Sequence, residues 1–385
     1  MITNDGKQII AKFLLGQAPD FATHIAAGCG EFPLFPSQTL SASAQAAMKL
    51  NKSLTFEAFR VPIIARGIIR EDGVDKIVIK AETPTEQRFL LSEIGFFSAA
   101  NNSIAANFDS KSLSTFVSTE PWVVGSSTSS STITTIDGSS LYDSSYNIVA
   151  SNKAFFINSN SNIFSNSLRI DRREPTRFYN NALAISSSSS YINSSLDIAS
   201  LSSQTYYLQN SNFSADMSRN LPTDQVKIAL SLISKVASNN TNPSKVRIIL
   251  DFVNDVPGLN LNAPKARVTA ELLSSDFQQV VGATTYNNRY KVITKTLSQF
   301  KKDDSFSWAN INLVRLYACA VDASENVLDT YYIAFDGIRL ENISTENPLY
   351  ALVGYNILRN DSAYPVLKSA NTNNFIEYRF SIGVS

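Results

Sequence analysis

The amino-acid sequence predicts a mainly β protein, with a small α+β domain at its N-terminus and an antiparallel β-sandwich at its C-terminus. Two observations carry this expectation. Tyr and Phe, 15 and 23 in number, are set among abundant Ser, Asn and Thr, the composition of strands joined by polar turns. From about residue 203 the segments QTYYLQNSNF, DQVKIALSLISKV, KVRIILDFV, KARVTAELL, RYKVITKTL, NINLVRLYACAV and TYYIAFDGIRLEN follow at fairly even spacing, with turn residues between them. That pattern favours a sandwich over any helical fold.

The elements follow in chain order. Thr3-Asn4-Asp5-Gly6 supplies side-chain oxygens for a helix start, and Gln8 to Leu15 put Ile9, Ile10, Phe13 and Leu14 on one helical face before Gly16 ends it. The segment ATHIAAG reads as a short buried strand entering a Gly28-Cys29-Gly30 turn. Residues 31–50 read as a Pro- and Ser-containing connection. Three strand candidates follow, LTFEAFRVPIIARGIIRE, DKIVIKAET and RFLLSEIGFFSA, separated by turns at Asp72-Gly73 and Thr83-Pro84-Thr85. DSKSLSTFVSTEPWVV is expected to add a last strand to this domain.

Composition then shifts to a Ser- and Asn-dense tract, compatible with a flexible linker and equally with short strands whose polar faces point outward. Within it, Ser186 to Ser190 fit a strand flanked by Ile185 and Tyr191. The tail segments PLYALVGYNIL and NNFIEYRFSIGVS are apolar enough to pack on the sandwich or on another chain. The expected domains are therefore 1–122, a 123–202 connector and 203–385.

Charge and chemistry-bearing residues narrow the function. Lys+Arg and Asp+Glu are equal at 33, and charged residues make up only 17%, which leaves no electrostatic footprint for nucleic acid or an anionic membrane. The N-terminus lacks a signal-peptide pattern and no run reaches eighteen apolar residues, so cytosolic synthesis and no membrane span are expected. One histidine, His24, lies five residues from Cys29, one of two cysteines. A catalytic pair would need both side chains in one open pocket; a core histidine beside a turn residue is the plainer alternative.

Three Cys and His residues in all cannot supply four zinc ligands. No cofactor is expected. A structural calcium ion would draw on Asp251 with Asp255, Asp303 with Asp304, or Asp336, which read equally as solvated loop acids. A glycosidase would need two facing acids among residues such as Glu57, Glu82, Glu93, Glu271 and Asp336, and nothing in the sequence pairs them. Tyr beside Asn, as in TYYLQNSNF and ATTYNNRYK, suits sugar recognition and also strand edges or subunit interfaces.

Four elements recur in order over the first hundred residues: Ile2, Thr3, Gly6 and Ile10; Thr23, Ile25, Gly28 and Gly30; Glu57, Arg60, Pro62 and Ile63; and Glu93, Ile94, Gly95, Phe96 and Phe97. This pattern resembles the N-terminal domain of tailed-phage tail-fibre and tail-collar proteins. Cys29, where that family often has an acidic residue, and the long 31–50 insert depart from it. The resemblance implies a non-enzymatic virion component assembled in the host cytoplasm, docked through its N-terminal domain to tail, baseplate or neck proteins, as a trimer or a multiple of three. A second likeness is to jelly-roll carbohydrate-binding modules, through Trp308, Ile311, Val314 and Leu316 and then Asp336, Gly337, Ile338, Arg339 and Leu340. It implies a jelly-roll-like sandwich with Asp336 at a strand turn or a structural ion, and the alternative function of a glycan-binding, host-receptor adhesin.

Overall fold

The computed structural model describes residues 1–28, 34, 36–85, 89–99, 122–126, 130–137, 153–158, 181–198, 205–210, 215–235, 243–256, 262–281, 284–286, 291–341, 351–359, 366–369 and 371–381. The chain forms two compact units, Met1–Ser103 with Ile343–Ser385, and Ile104–Asn342. This replaces the expected division at residues 122 and 202. The sandwich is an insertion, and the tail belongs with the N-terminal segment rather than with the sandwich.

Unit 1 begins with α1 (Asn4–Leu14), β1 (His24–Gly28), α2 (Ala42–Lys49), β2 (Glu57–Glu71), β3 (Val74–Glu82), β4 (Phe89–Leu91) and β5 (Glu93–Phe97). Unit 2 holds β6 (Trp122–Gly125), β7 (Ser130–Thr132), β8 (Thr134–Asp137), β9 (Ala154–Asn158), β10 (Asn181–Ser186), β11 (Tyr207–Asn210), β12 (Gln225–Ser234), β13 (Lys245–Val253), β14 (Lys265–Leu273), β15 (Gln279–Val281), β16 (Thr284–Tyr286), β17 (Lys291–Thr296), β18 (Lys301–Lys302), β19 (Leu313–Val321) and β20 (Tyr331–Glu341). Unit 1 then resumes with β21 (Leu352–Ile357), β22 (Val366–Lys368) and β23 (Phe375–Phe380).

In unit 1 the helix start is as the sequence predicts. The Thr3 hydroxyl accepts the Gly6 N–H at 2.9 Å, and the side chain of Ile9 is fully buried. Gly16 ends the turn after α1 at φ +71°. Residues 31–50, expected as a connection, contain α2, whose start Ser41 caps by accepting from the Ala44 N–H at 3.2 Å. Its Ala-rich run has high helix propensity, and only Met48 is buried. The β2–β3 hairpin closes at Asp72 (φ +52°) and Gly73 (φ +77°), both positive as a type I′ turn requires.

The main sheet of unit 1 runs β21-β5-β1-β2-β3-β23, antiparallel throughout. Both of its outermost strands come from the C-terminal segment. One apolar cluster joins Ile9, Ile25, Ile79 and Phe96 to Val353, Tyr378 and Phe380, and a second joins Ala26, Leu54 and Phe97 to Leu352, Tyr355 and Ile357.

Unit 2 is a jelly-roll-like β-sandwich. One sheet runs β17-β12-β20-β10-β9-β8 and the other β18-β14-β13-β19-β11-β6-β7, with β15-β16 a separate pair. Alternate residues of both sheets share one core, among them Ile228, Leu230, Leu250, Phe252, Leu316 and Ile333. The seven segments recognised from residue 203 onward are β11, β12, β13, β14, β17, β19 and β20. Trp122–Gly125, expected in the N-terminal domain, is instead a strand of this sandwich. The five-serine run forms no strand of its own: β10 ends at Ser186, and Ser189 turns back to bond the Ser186 carbonyl. Strands β7 to β10 come from the tract whose order the sequence left open.

Candidate functional site

In unit 1 the residues of the phage-like pattern meet around β1, where they serve packing. Gly28 lies between Glu57 and Glu93 in the sheet register. A Cβ at Gly28 would collide with the Phe56 carbonyl, one at Gly6 with the Val353 carbonyl, and one at Gly95 would sit 2.6 Å from Leu352 Cδ1. The Glu93 carboxylate, fully buried, accepts the Thr55 and Phe56 N–H groups at 3.0 and 2.9 Å and the Tyr355 hydroxyl at 2.8 Å. Arg60 forks onto Glu57 at 3.0 and 2.7 Å and lies 3.6 Å over the Phe97 ring. Thr23 bonds Phe97 and Ile63 through its backbone, and Pro62 stands opposite His24.

His24 receives no catalytic partner among the described residues. Its Nδ1 lies 2.9 Å from the Thr23 hydroxyl, and burial, then the Arg60 charge, pull its pKa below the ordinary value, with Glu57 opposing. Cys29 and Gly30 lie outside the described residues, so the expected turn does too. Cys319 is a free, buried thiol whose pKa burial pushes up to about 11, which makes it a poor nucleophile.

Unit 2 carries a buried Lys227–Glu341 pair with Arg339 on its six-stranded sheet, and a longer polar row on one face of its seven-stranded sheet. Residues of β13, β14 and β19 that do not enter the core point to the opposite face, and the register aligns them. Arg267 stands opposite Asp251, Asp251 opposite Arg315, and Arg315 opposite Gln209. Four strands thereby present one continuous row, Arg267-Asp251-Arg315-Gln209.

The row is bonded as two pairs. Arg267 Nε and Nη2 donate to the two Asp251 oxygens, each at 2.7 Å, and Arg315 Nε donates to Gln209 Oε1 at 3.0 Å. Asp251 and Arg315 are buried, whereas the Arg267 side chain keeps 23% of its surface exposed. Desolvation works against the Arg267 charge, but the paired bonds to Asp251 and its charge raise the pKa overall. Beside the row, the Tyr207 and Tyr317 rings meet at 5.1 Å between centroids, and burial raises both phenol pKa values. Gly125 leaves the space that the Tyr207 ring fills.

A strap closes one end of this face. Ile192, with Tyr191, Leu196 and Ile198, covers Ile249, Tyr317, Cys319 and Val321. Arg247, buried between Glu271 at 2.7 Å and Glu325 at 2.5 Å, donates to the Ile192 carbonyl at 3.0 Å and so ties the strap down. Arg267, Thr269 and Gln209 are partly exposed on this face, flanked on β14 by the accessible Lys265 and Glu271.

The sequence-derived sandwich residues land elsewhere. Trp308 is not on a strand but on a 3₁₀ turn before β19, where it packs against Phe252, Phe300 and Phe306 as an end plug. Asn254, an attractive amide for a sugar, is spent on stapling: it donates to the Ser307 and Asn310 carbonyls and accepts from the Ser307 N–H. Asp336 sits inside β20 at a bulge, where the pairing steps from Gly337 to Phe335 across Ala229 and Leu230, not at a strand turn. Among the described residues no group of three or more His, Cys, Asp or Glu is placed to hold a metal. Asp251 is committed to Arg267, and Asp303 accepts from the Lys265 backbone and ammonium.

Of the acids weighed for a glycosidase, the two that stand near each other, on either side of Gly28, face no open cleft. Glu57 and Glu93 are buried in unit 1 with the partners above, while Glu271 holds Arg247 in unit 2. Arg267, Arg315, Gln209 and Tyr317 were missed as a set. Their signal is a polar residue on the non-core alternation of otherwise apolar strands, as Asp251 in VRIILDF and Arg315 and Tyr317 in LVRLYA.

No family model matches this sequence, and no curated protein matches it. Two solved structures resemble part of it. One is a carbohydrate-binding module specific for non-crystalline cellulose, at 15% identity and a TM-score of 0.27, covering 43% of this chain and 77% of that one. The other is a candidate sugar binding protein from Bacteroides thetaiotaomicron, at 8% identity and a TM-score of 0.21, covering 43% and 76%. Similarity at that level fixes neither a shared topology nor a shared ligand.

Proposed function

We propose that unit 2 is a glycan-binding module, with no catalytic role, and that unit 1 is the anchor that carries it. The observation that supports this is the Arg267-Asp251-Arg315-Gln209 row. The partly exposed Arg267 guanidinium and Gln209 amide, held from beneath by the buried Asp251 and Arg315, present fixed polar groups to adjacent sugar hydroxyls, and their order is set before a ligand arrives. Tyr207 and Tyr317 stiffen that floor from the side. The test is a glycan array probed with the full chain and with Thr269→Trp, whose indole would cover the row. Retention of at least one glycan class, lost in the variant, is the expected result; no retention by the unaltered chain overturns the reading.

A second reading places the chain in a tailed-phage virion, docked by unit 1 to tail, baseplate or neck proteins, with trimeric copies presenting unit 2 to a host surface. It is favoured by the convergence of Gly6, Gly28, Glu57, Arg60, Glu93 and Gly95, six positions of the phage-like pattern, on the packing around β1 and its neighbours. The two readings are compatible, since such an adhesin needs both an anchor and a sugar-binding surface. Electron cryo-microscopy of the particle that contains this chain tests the second one: density on the tail supports it, and density confined to the capsid overturns it.

A further inference from the structure

We infer that unit 1 is a late-closing clip that reports synthesis through residue 380, because its N-terminal strands cannot complete their sheet until the C-terminal strands have been made. The main sheet has β21 on one side, against β5, and β23 on the other, against β3. Between the two halves of unit 1 the whole of residues 104–342 is synthesised. At ~5–20 residues per second that is a delay on the order of tens of seconds.

The dependence reaches into the interior. The cap of α1 is itself tied to the late segment: the Thr3 hydroxyl donates to the Leu352 carbonyl at 2.5 Å, and the Thr3 N–H donates to the Val353 carbonyl at 3.0 Å. Gly354 approaches the Phe96 ring so closely that any Cβ would collide with it. Val353, Tyr378 and Phe380 fill the same cluster as Ile9, Ile25 and Phe96. Until they arrive, that apolar surface has no cover and the N-terminal half has no closed core.

Ser98 and Ala351 mark where the clip shuts. The Ser98 N–H donates to the Ala351 carbonyl at 3.1 Å, and the Ala351 N–H donates back to the Ser98 hydroxyl at 3.0 Å. The pair joins the last part of the N-terminal segment described in unit 1 to the first residue described in its C-terminal segment. A chain cut short within unit 2 therefore displays no closed unit 1 and is excluded from whatever unit 1 joins. That last consequence rests on unit 1 being the anchor; the closure itself does not.

The test is pulse-labelled hydrogen exchange on the full chain during refolding, read by mass spectrometry. Residues 24–28 and 93–97 are expected to gain protection at the same rate as 352–357 and 375–380, and at a different rate from 245–253. Protection of 24–28 and 93–97 ahead of 352–357 would overturn the inference. In the full-length Gly354→Val variant at equilibrium, exchange at 24–28 and 93–97 should accelerate at least tenfold while 245–253 keeps its protection. Retained protection at 24–28 and 93–97, or equal loss in both units, would contradict it. Neither experiment involves a glycan, so failure here leaves the sugar-binding reading standing.

Discussion

The Tyr355 hydroxyl donates to the Glu93 carboxylate at 2.8 Å across 262 positions of sequence, from the segment after the sandwich to the segment before it. The same carboxylate holds the backbone N–H groups of Thr55 and Phe56 ahead of β2. One buried side chain thus joins three parts of unit 1. Tyr355→Phe should cost about 2 kcal/mol, the usual value for a hydrogen bond to a charged group. Glu93→Leu should cost more, because the buried Phe56 N–H and the partly buried Thr55 N–H both lose their acceptor. Denaturant unfolding followed by exchange at residues 93–97 reads both.

Glycine substitutions separate close packing from mere turn chemistry. Gly28→Ala drives a methyl into the Phe56 carbonyl, whereas a Cβ at Gly67 meets nothing within 4 Å. Gly28→Ala should lower the melting temperature of unit 1 by several degrees, and Gly67→Ala should change stability by no more than about 0.5 kcal/mol. Differential scanning calorimetry of the two variants checks the contrast.

The depressed pKa of His24 fixes a sign for pH dependence. Its folded value lies below the ordinary 6.5, because burial and Arg60 disfavour the charged ring. The unfolded chain therefore binds the proton more readily, and stability falls as pH drops from above 6.5 toward the folded value, then levels off. His24→Gln should flatten this part of the curve. Glu71, Asp216, Asp322, Glu325 and Asp329, whose pKa values their hydrogen-bond partners lower, give a separate loss below about pH 4.5 that the variant leaves in place. Urea midpoints at half-unit pH steps distinguish the two windows.

Asp251 is buried and forked by Arg267. Asp251→Ala strands a guanidinium on the sheet and should destabilise unit 2 by about 3 kcal/mol, less than for a fully enclosed pair because Arg267 still reaches water. The double change Asp251→Leu with Arg267→Met should recover much of that loss while abolishing glycan retention. A thermal shift assay beside the array separates folding from binding.

The strands of the sandwich were legible because their alternation is strong. In KVRIILDFV every second residue, from Val246 to Phe252, enters the core. The helix α1 was legible through Thr3 and Gly16. Three things were not. Nothing local in LVGYNI or FIEYRF says that they pair with strands more than 250 positions earlier. α2 carries one buried residue and so shows almost no apolar stripe. The polar row is assembled by register from four strands, and no single segment holds more than one of its members.

Hydrogen-exchange mass spectrometry of the full chain with and without the best glycan from the array tests the central claim most directly. If the row is the binding surface, protection should rise in 207–210, 265–270 and 313–317 and stay unchanged in unit 1 and in the six-stranded sheet. Glycan-dependent protection confined to residues outside the seven-stranded sheet would contradict the account.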